Sequence, residues 1–268
     1  RQMCIRDSMF PDIYSHLEKE FSGQVNLDDY QLMIMHPWQY DHVLHQDYME
    51  ELDQRLMIVS EYSIPYYAGL SFRTLVPELP NKAPHIKLST NVHITGEIRT
   101  LSEQTTHNGP LVTHILNDIL TKDSTFKQYA STVIDEVAGI HFYNSNDSDE
   151  IQTDRSEQLG TLFRNNFYHS ITNDVVPVIP SSLVATYPYN SETPIQTLIQ
   201  TYQVSKGFQS FEEAAKTWMN EYSKALLGLV IPLYSKYGIA LEAHLQNSVA
   251  TFNEDGSLNK LYIRDFEG

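Results

Sequence analysis

Apolar and polar residues alternate most cleanly between residues 85 and 94. Ile86, Leu88, Val92 and Ile94 are interleaved with His85, Lys87, Ser89, Asn91 and His93. A period of two predicts a strand with one core face and one polar face, such as the wall of a polar cleft. Residues 32–35, 57–59, 137–143, 159–164 and 175–179 read as further strands, as does 70–76, which Pro77 and Pro80 should end. Helical spacing appears at 13–21, at 40–56 with an acidic face, and at 194–203. Asn108-Gly109-Pro110 should open a helix running to about 120, with Pro110 in its first turn. Ser210 and Glu213 form a capping box at the head of a long helix to Tyr237, which Pro232 should kink and Gly238 closes. Residues 144–150 are polar without periodicity and read as a loop. Residues 249–252 and 258–263 flank the turn Asn253-Glu254-Asp255-Gly256, a hairpin that would bring Asp265 back beside Asn247. The expected class is α+β, with antiparallel hairpins and one long buried helix.

Composition narrows the function. The 268 residues, 41% hydrophobic with 17 Tyr and 11 Phe, are enough for a sizeable folded core. A net charge of −16 argues against nucleic acid as partner, whereas a local cluster of Arg and Lys still accommodates a small anion. Cys4 is the only cysteine, so a disulfide framework or cysteine zinc site within the chain is excluded, in keeping with a reducing cytoplasm. No apolar run approaches the ~18 residues of a membrane span, and there is no secretory signal. Residues 1–8 carry no usable pattern and are expected to be a foreign scar or an assembly artefact.

Several short motifs carry candidate chemistry. On a strand, Ser71 and Arg73 would share a face, and Arg73 suits a phosphate or carboxylate. Lys87, Ser89 and Asn91 add a cation, a hydroxyl and an amide, and Arg99-Thr100 follow closely. If these strands pair, Arg73, Lys87 and Arg99 come together, which is costly unless an anion neutralises them. A solvated strand face with scattered charge is the plain alternative. His36, His42 and His45 match no common zinc spacing, and His36-Pro37-Trp38-Gln39 reads better as pocket lining through His36 and Gln39. Glu242, His244, Gln246, Asn247 and Asp265 offer oxygen and nitrogen groups suited to a nucleotide with Mg²⁺, or else form a polar loop after a helix. A layout like kinase metal loops is present without a His-Arg-Asp base or an upstream Gly-rich loop, which disfavours a protein kinase.

Taken in order, His36-Pro37-Trp38-Gln39, Leu70-Ser71-Phe72-Arg73-Thr74, His85-Ile86-Lys87-Leu88-Ser89-Thr90-Asn91, Ile94-Thr95-Gly96-Glu97-Ile98-Arg99-Thr100-Leu101-Ser102, Asn108-Gly109-Pro110, Glu242-Ala243-His244-Leu245-Gln246-Asn247 and Arg264-Asp265-Phe266-Glu267-Gly268 resemble the IucA/IucC family of NRPS-independent siderophore synthetases from about residue 24 onward. The resemblance implies a hand-like fingers, palm and thumb architecture. Residues 9–135 would be fingers-like, and 136–268 palm-like and truncated at its end. It implies an enzyme that adenylates a carboxylate, usually citrate, with ATP and Mg²⁺, then condenses it with an amine, hydroxylamine or alcohol. By motif, Ser71, Arg73, Thr74, Lys87, Ser89, Asn91, Arg99, Thr100, His244, Gln246 and Asp265 would meet ATP or the acid. Arg73, Lys87, Arg99 and His244 would be catalytic, and Glu242, Asn247 and Asp265 would hold Mg²⁺. A cytoplasmic homodimer is expected on the same basis. The family's upstream His-Pro-rich segment and the region after Asp-Phe-x-Gly are not seen, so the chain is expected to be a fragment of impaired activity. A kinase-like small-molecule phosphotransferase, and a non-catalytic domain that binds citrate or a ferric chelate, stand as alternatives.

Overall fold

The computed structural model describes residues 9–78, 83–94, 96–172 and 174–266. In chain order the main elements are α1 (Pro11–Glu20), β1 (Tyr66–Ala68), β2 (Thr74–Pro77), β3 (His85–Leu88), β4 (His93–Ile94), β5 (Glu97–Ile98), α2 (Glu103–Lys122), β6 (Ser131–Val133), β7 (Glu136–His141), α3 (Asp149–Gln158), β8 (Gly160–Arg164), β9 (Val176–Val178), α4 (Pro194–Lys206), α5 (Phe211–Tyr237), β10 (Ser248–Phe252) and β11 (Leu258–Ile263). The class is α+β, as the patterning predicts.

Two compact units form. The first takes in residues up to 111 and 136–166, the second 112–135 and 167–266. The boundary expected at 135/136 is thereby corrected. β7 and β8 hydrogen-bond into the sheet of β3, so they belong with the first unit, while β6 pairs with β11 in the second. The expectations for residues 1–8, Pro80, Thr95, Glu267 and Gly268 lie outside the described residues.

The first unit is built on an antiparallel sheet in the order β1-β2-β3-β8-β7. Ile86, Leu88, Ala138, Ile140 and Phe163 from the sheet pack with Phe10 and Ile13 at α1. β3 lies between two neighbours and all four of its residues are buried, His85 and Lys87 included. The predicted strand over 85–94 therefore stops at Leu88. Its polar positions face no open cleft wall within β3, and the next strand is β4, paired with β5.

α2 passes close to β7, and the sequence permits the approach at glycine. A Cβ on Gly139 would sit 1.9 Å from the Thr106 carbonyl oxygen. α2 begins at Glu103, seven residues ahead of Pro110, so that proline is inside the helix and not in its first turn. The run 32–35 is not a strand, although Leu32, Met33 and Ile34 pack on the core and the Ile34 carbonyl accepts from Thr161 Oγ1 at 2.7 Å. The run 57–59 is likewise irregular. The helix expected at 40–56 is broken into a π turn (Tyr40–Leu44) and short α turns (His45–Asp47 and Met49–Asp53), interrupted at Tyr48, whose φ of −129° is not helical. α3 has no apolar periodicity to announce it, which is why its stretch shows no helical signal in the sequence.

The second unit has a sheet in the order β6-β11-β10-β9, with β6 and β11 parallel. α5 buries Ala214, Trp218, Tyr222, Ala225, Leu229 and Leu233 against it, at spacings of three and four residues. Its ends are those read from the sequence: the Ser210 side chain accepts from the Glu213 N–H, and Gly238 takes the left-handed conformation at φ 69°. α4 starts with a capping box between Thr193 and Gln196. Trp218 Nε1 donates to the Gly256 carbonyl at 2.9 Å, tying α5 to the hairpin turn. Among the described residues no helix is long and apolar enough to cross a membrane.

Candidate functional site

The first unit collects one set of candidate residues. Ser71, Phe72 and Arg73 do not lie on a strand as predicted but in the turn joining β1 to β2, so Ser71 and Arg73 share no strand face. The turn is closed by Gly69 N–H donating to the Thr74 carbonyl (2.8 Å) and Thr74 N–H to the Ser71 carbonyl (2.9 Å). β2 pairs Thr74 with Lys87. The Leu88 N–H donates to the Arg73 carbonyl at 2.9 Å, and the Thr90 N–H donates to the Arg99 carbonyl at 2.9 Å. The backbones bearing Arg73, Lys87 and Arg99 are thus neighbours.

Several of these side chains also hold the fold. The buried Arg73 guanidinium donates through Nη1 to the carbonyls of Arg99 (3.1 Å) and Thr100 (2.6 Å). Ser89 is buried, and its Oγ accepts from Leu101 N–H and Gly160 N–H, each at 3.1 Å. Thr100 Oγ1 donates to Glu157 Oε2 at 3.2 Å. Arg99 is partly exposed, donates to the Ile94 carbonyl at 3.3 Å and lies 3.8 Å from the exposed Glu97 carboxylate. Asn91 is exposed, whereas Lys87 and Thr90 are buried.

The His36-Pro37-Trp38-Gln39 segment touches both parts of this patch. His36 Nδ1 accepts from the Trp38 N–H at 3.1 Å as an N-cap, which leaves the proton of the neutral ring on Nε2. Burial holds the His36 pKa below its ordinary value. The ring meets Phe72 edge-on, with centroids 6.2 Å apart. Gln39 reaches Asn91, whose N–H donates to Gln39 Oε1 at 2.6 Å. His42 stacks on Trp38 and His45 meets Tyr40 edge-on.

The second unit carries the other set. The β10–β11 hairpin pairs Ser248 with Ile263, and Arg264 N–H donates to the Asn247 carbonyl at 2.9 Å, so Asn247 and the Arg264-Asp265 segment are adjacent as the hairpin predicts. His244 Nε2 lies 3.9 Å from Glu242 Oε2 and 3.3 Å from Asn247 Nδ2. Glu242, His244 and Gln246 are exposed, while Asn247 is buried. Asp265 has a left-handed backbone, φ 76°. Among the described residues, no three His, Cys, Asp or Glu side chains are placed to share a metal ion. The side chains of Glu242, Asn247 and Asp265 carry oxygens of the kind that a hard cation such as Mg²⁺ takes.

Sequence reasoning passed over the buried Arg264, whose Nη2 donates to the Gln246 carbonyl at 3.2 Å. It also missed Glu157 and Gln158, and the buried Arg164–Glu136 pair at 2.9 Å. Arg164 at the end of an otherwise apolar strand was the one available signal, since a charge there needs a partner.

The IucA / IucC family model matches residues 1–185, and the chain belongs to that family. A model described as ferric iron reductase FhuF-like transporter matches residues 216–268. Among curated proteins, the D-ornithine--citrate ligase of Staphylococcus aureus (strain NCTC 8325 / PS 47) is 66% identical over 260 residues, which is 97% of this chain and 40% of that protein. The chain therefore spans less than half the length of this relative. Solved structures share the fold: the petrobactin biosynthesis protein AsbB from Bacillus anthracis str. Sterne (TM-score 0.76, 23% identity, 96% of this chain and 40% of that one), and ATP-bound aerobactin synthetase IucA from a hypervirulent pathotype of Klebsiella pneumoniae (TM-score 0.75, 21% identity, 94% and 43%).

Proposed function

We propose that this chain is part of an ATP-dependent siderophore synthetase that activates citrate, or a citrate derivative, and joins it to an amine. The observation that carries the reading is the gathering of the Ser71–Thr74 turn, the Lys87–Asn91 segment and Arg99-Thr100 into one hydrogen-bonded patch. Kinship with a D-ornithine--citrate ligase supports citrate as the acid and an amine such as ornithine as the nucleophile. A hydroxylamine or alcohol would serve the same chemistry.

The reaction has two steps. A carboxylate oxygen of the acid attacks the α-phosphorus of ATP, forming a C–O–P anhydride as the bond to pyrophosphate breaks. The amine nitrogen then attacks the activated carbonyl, AMP leaves with the C–O bond pair, and the nitrogen loses its proton. Negative charge accumulates on the phosphate oxygens in the first step, and fixed cations stabilise it most when their position is set beforehand. Arg99, partly exposed beside Asn91 and Thr100, is suited to that contact, and Ser71 and Thr74 to orienting phosphate oxygens. Arg73 and Lys87 would hold the positive potential of the patch, with Arg73 also bracing the Arg99-Thr100 backbone. Asp265, Glu242 and Asn247 would hold Mg²⁺, which supplies charge neutralisation to the phosphates. His244 and Gln246 would contact the nucleotide. The protein would act in the cytoplasm, as a homodimer.

The test is product analysis with ATP, Mg²⁺, citrate and a panel of amines including D-ornithine. Citrate-dependent pyrophosphate and AMP, abolished by Arg99→Ala, are expected. ADP in their place would make it a phosphotransferase, and citrate binding without nucleotide turnover would make it a binding domain.

A further inference from the structure

Gln39 is 1% exposed. A buried primary amide has two donors and an acceptor to satisfy, and the partners it finds show what it holds together. Its Oε1 accepts from the Asn91 N–H at 2.6 Å. Its Nε2 donates to the Gln158 carbonyl at 2.7 Å and lies 3.2 Å from Gln158 Oε1. One side chain thereby joins a helical turn, the segment after β3 and the end of α3, across separations of 52 and 119 residues.

The end of α3 also grips the other side of the patch. The Glu157 carbonyl accepts from Leu101 N–H at 3.3 Å and its carboxylate from Thr100 Oγ1. α3 thus holds Thr100-Leu101 directly and Asn91 through Gln39. Asn91 is the first exposed residue after the buried run 85–90, so its backbone decides where its amide is presented. The ladder of β3 has ended by then, and the Gln39 bond replaces it at Asn91.

We infer that Gln39 is a positioning residue: it fixes the Asn91 backbone so that the Asn91 amide meets the phosphate or carboxylate ligand of the patch. This rests on the reading of the patch as a nucleotide and acid site. Simple core filling is the competing role, and methionine separates the two. It matches glutamine in length and fills the space without either hydrogen bond.

The experiment titrates the 268-residue chain, ¹⁵N-labelled, with ATP and Mg²⁺, comparing wild type, Gln39→Met, Asn91→Ala and the double variant. In wild type the short bond places the Asn91 amide proton downfield and slows its exchange, and Gln39→Met is expected to move it upfield and release it. Gln39→Met should weaken ATP binding about tenfold, the size of one lost buried hydrogen bond. Asn91→Ala should do the same, and the double variant should be no weaker than Asn91→Ala alone, because Gln39 acts through that side chain. Additive losses, or unchanged binding in Gln39→Met, overturn the positioning role. So does a Gln39→Met spectrum altered throughout the first unit, which would make Gln39 a structural residue. Failure of the wild-type chain to bind ATP overturns the nucleotide reading of the patch and the role of Gln39 with it, while the Asn91 amide still reports the hydrogen bond.

Discussion

Ser89→Ala should unfold the first unit more readily, and not merely weaken a ligand. The hydroxyl oxygen accepts from Gly160 N–H and from Leu101 N–H, both at 3.1 Å, in surroundings that exclude water. Gly160 is oriented wholly towards Ser89, since its carbonyl also accepts from Ser89 N–H at 3.0 Å. Its N–H would be orphaned by the substitution. Leu101 N–H would keep only the longer bond to the Glu157 carbonyl, 3.3 Å. A buried donor left without a partner costs about 1–3 kcal/mol, so one full loss and one partial loss amount to about 3 kcal/mol. For a chain of this length that is a fall in Tm of roughly 6–12 °C. Thermal unfolding followed by far-UV circular dichroism reads it directly. A Tm within about 2 °C of wild type would refute the argument, and would leave Ser89 to be explained by ligand contact alone.

Gly139→Ala should cost about 3 kcal/mol, at the upper end for overpacking, because its Cβ would lie 1.9 Å from a helix carbonyl and that helix must shift by more than 1 Å; an unchanged urea midpoint would show that α2 does not pass so close. Stability should fall as pH drops through the ordinary histidine value of 6.5, since burial lowers the folded pKa of His36 and His141 and the unfolded chain then binds protons more readily. His36→Asn, which keeps an N-cap acceptor without titrating, should reduce that slope in urea unfolding between pH 7.5 and 5.5, and an identical slope would clear His36 of the effect. Asp265→Asn and Asp265→Ala should both remove nucleotide-dependent function, but only the alanine should also lose about 1 kcal/mol, because its backbone is left-handed at φ 76°. Equal Tm values for the two variants would contradict that.

The second unit was largely legible in the sequence because its signals are local. Ser210 with Glu213, Gly238, and the turn after residue 252 each mark an element end through neighbours in the chain, and the hairpin places Asn247 beside Arg264-Asp265 without long-range information. In the first unit the pattern of apolar residues gave the core but not the backbone pairing. Residues 32–35 and 57–59 are apolar enough to pack, yet no strand accepts them, so they remain irregular. The alternation over 85–94 was real, but whether its polar positions are open or covered depends on neighbours: β2 and β8 flank β3, and His85 and Lys87 are buried. That Arg73, Lys87 and Arg99 would come near one another if their strands paired was foreseeable. That Arg73 would spend hydrogen bonds on the Arg99 and Thr100 carbonyls was not, because those partners are 26 and 27 residues away.

Buried polar side chains in the first unit share a task that explains both the misread strands and the shape of the patch. Gln39 holds Asn91 and Gln158, Ser89 holds Leu101 and Gly160, Gln152 donates to the Phe142 carbonyl at 3.0 Å, and Asn166 donates to the Ala83 carbonyl at 3.0 Å. In each case a side chain satisfies backbone at or just beyond the end of a strand or helix, where regular pairing stops. Apolar periodicity reports where a segment touches the core, and it is silent about how irregular backbone is held there. The energetic order follows. Removing Ser89 or Gln39 strands buried groups on other segments, whereas removing an exposed motif residue such as Gln246 strands none through its side chain. Motif residues that look alike in sequence therefore divide physically: the buried ones also brace other segments, so their loss is expected to cost stability, whereas the loss of an exposed one is not.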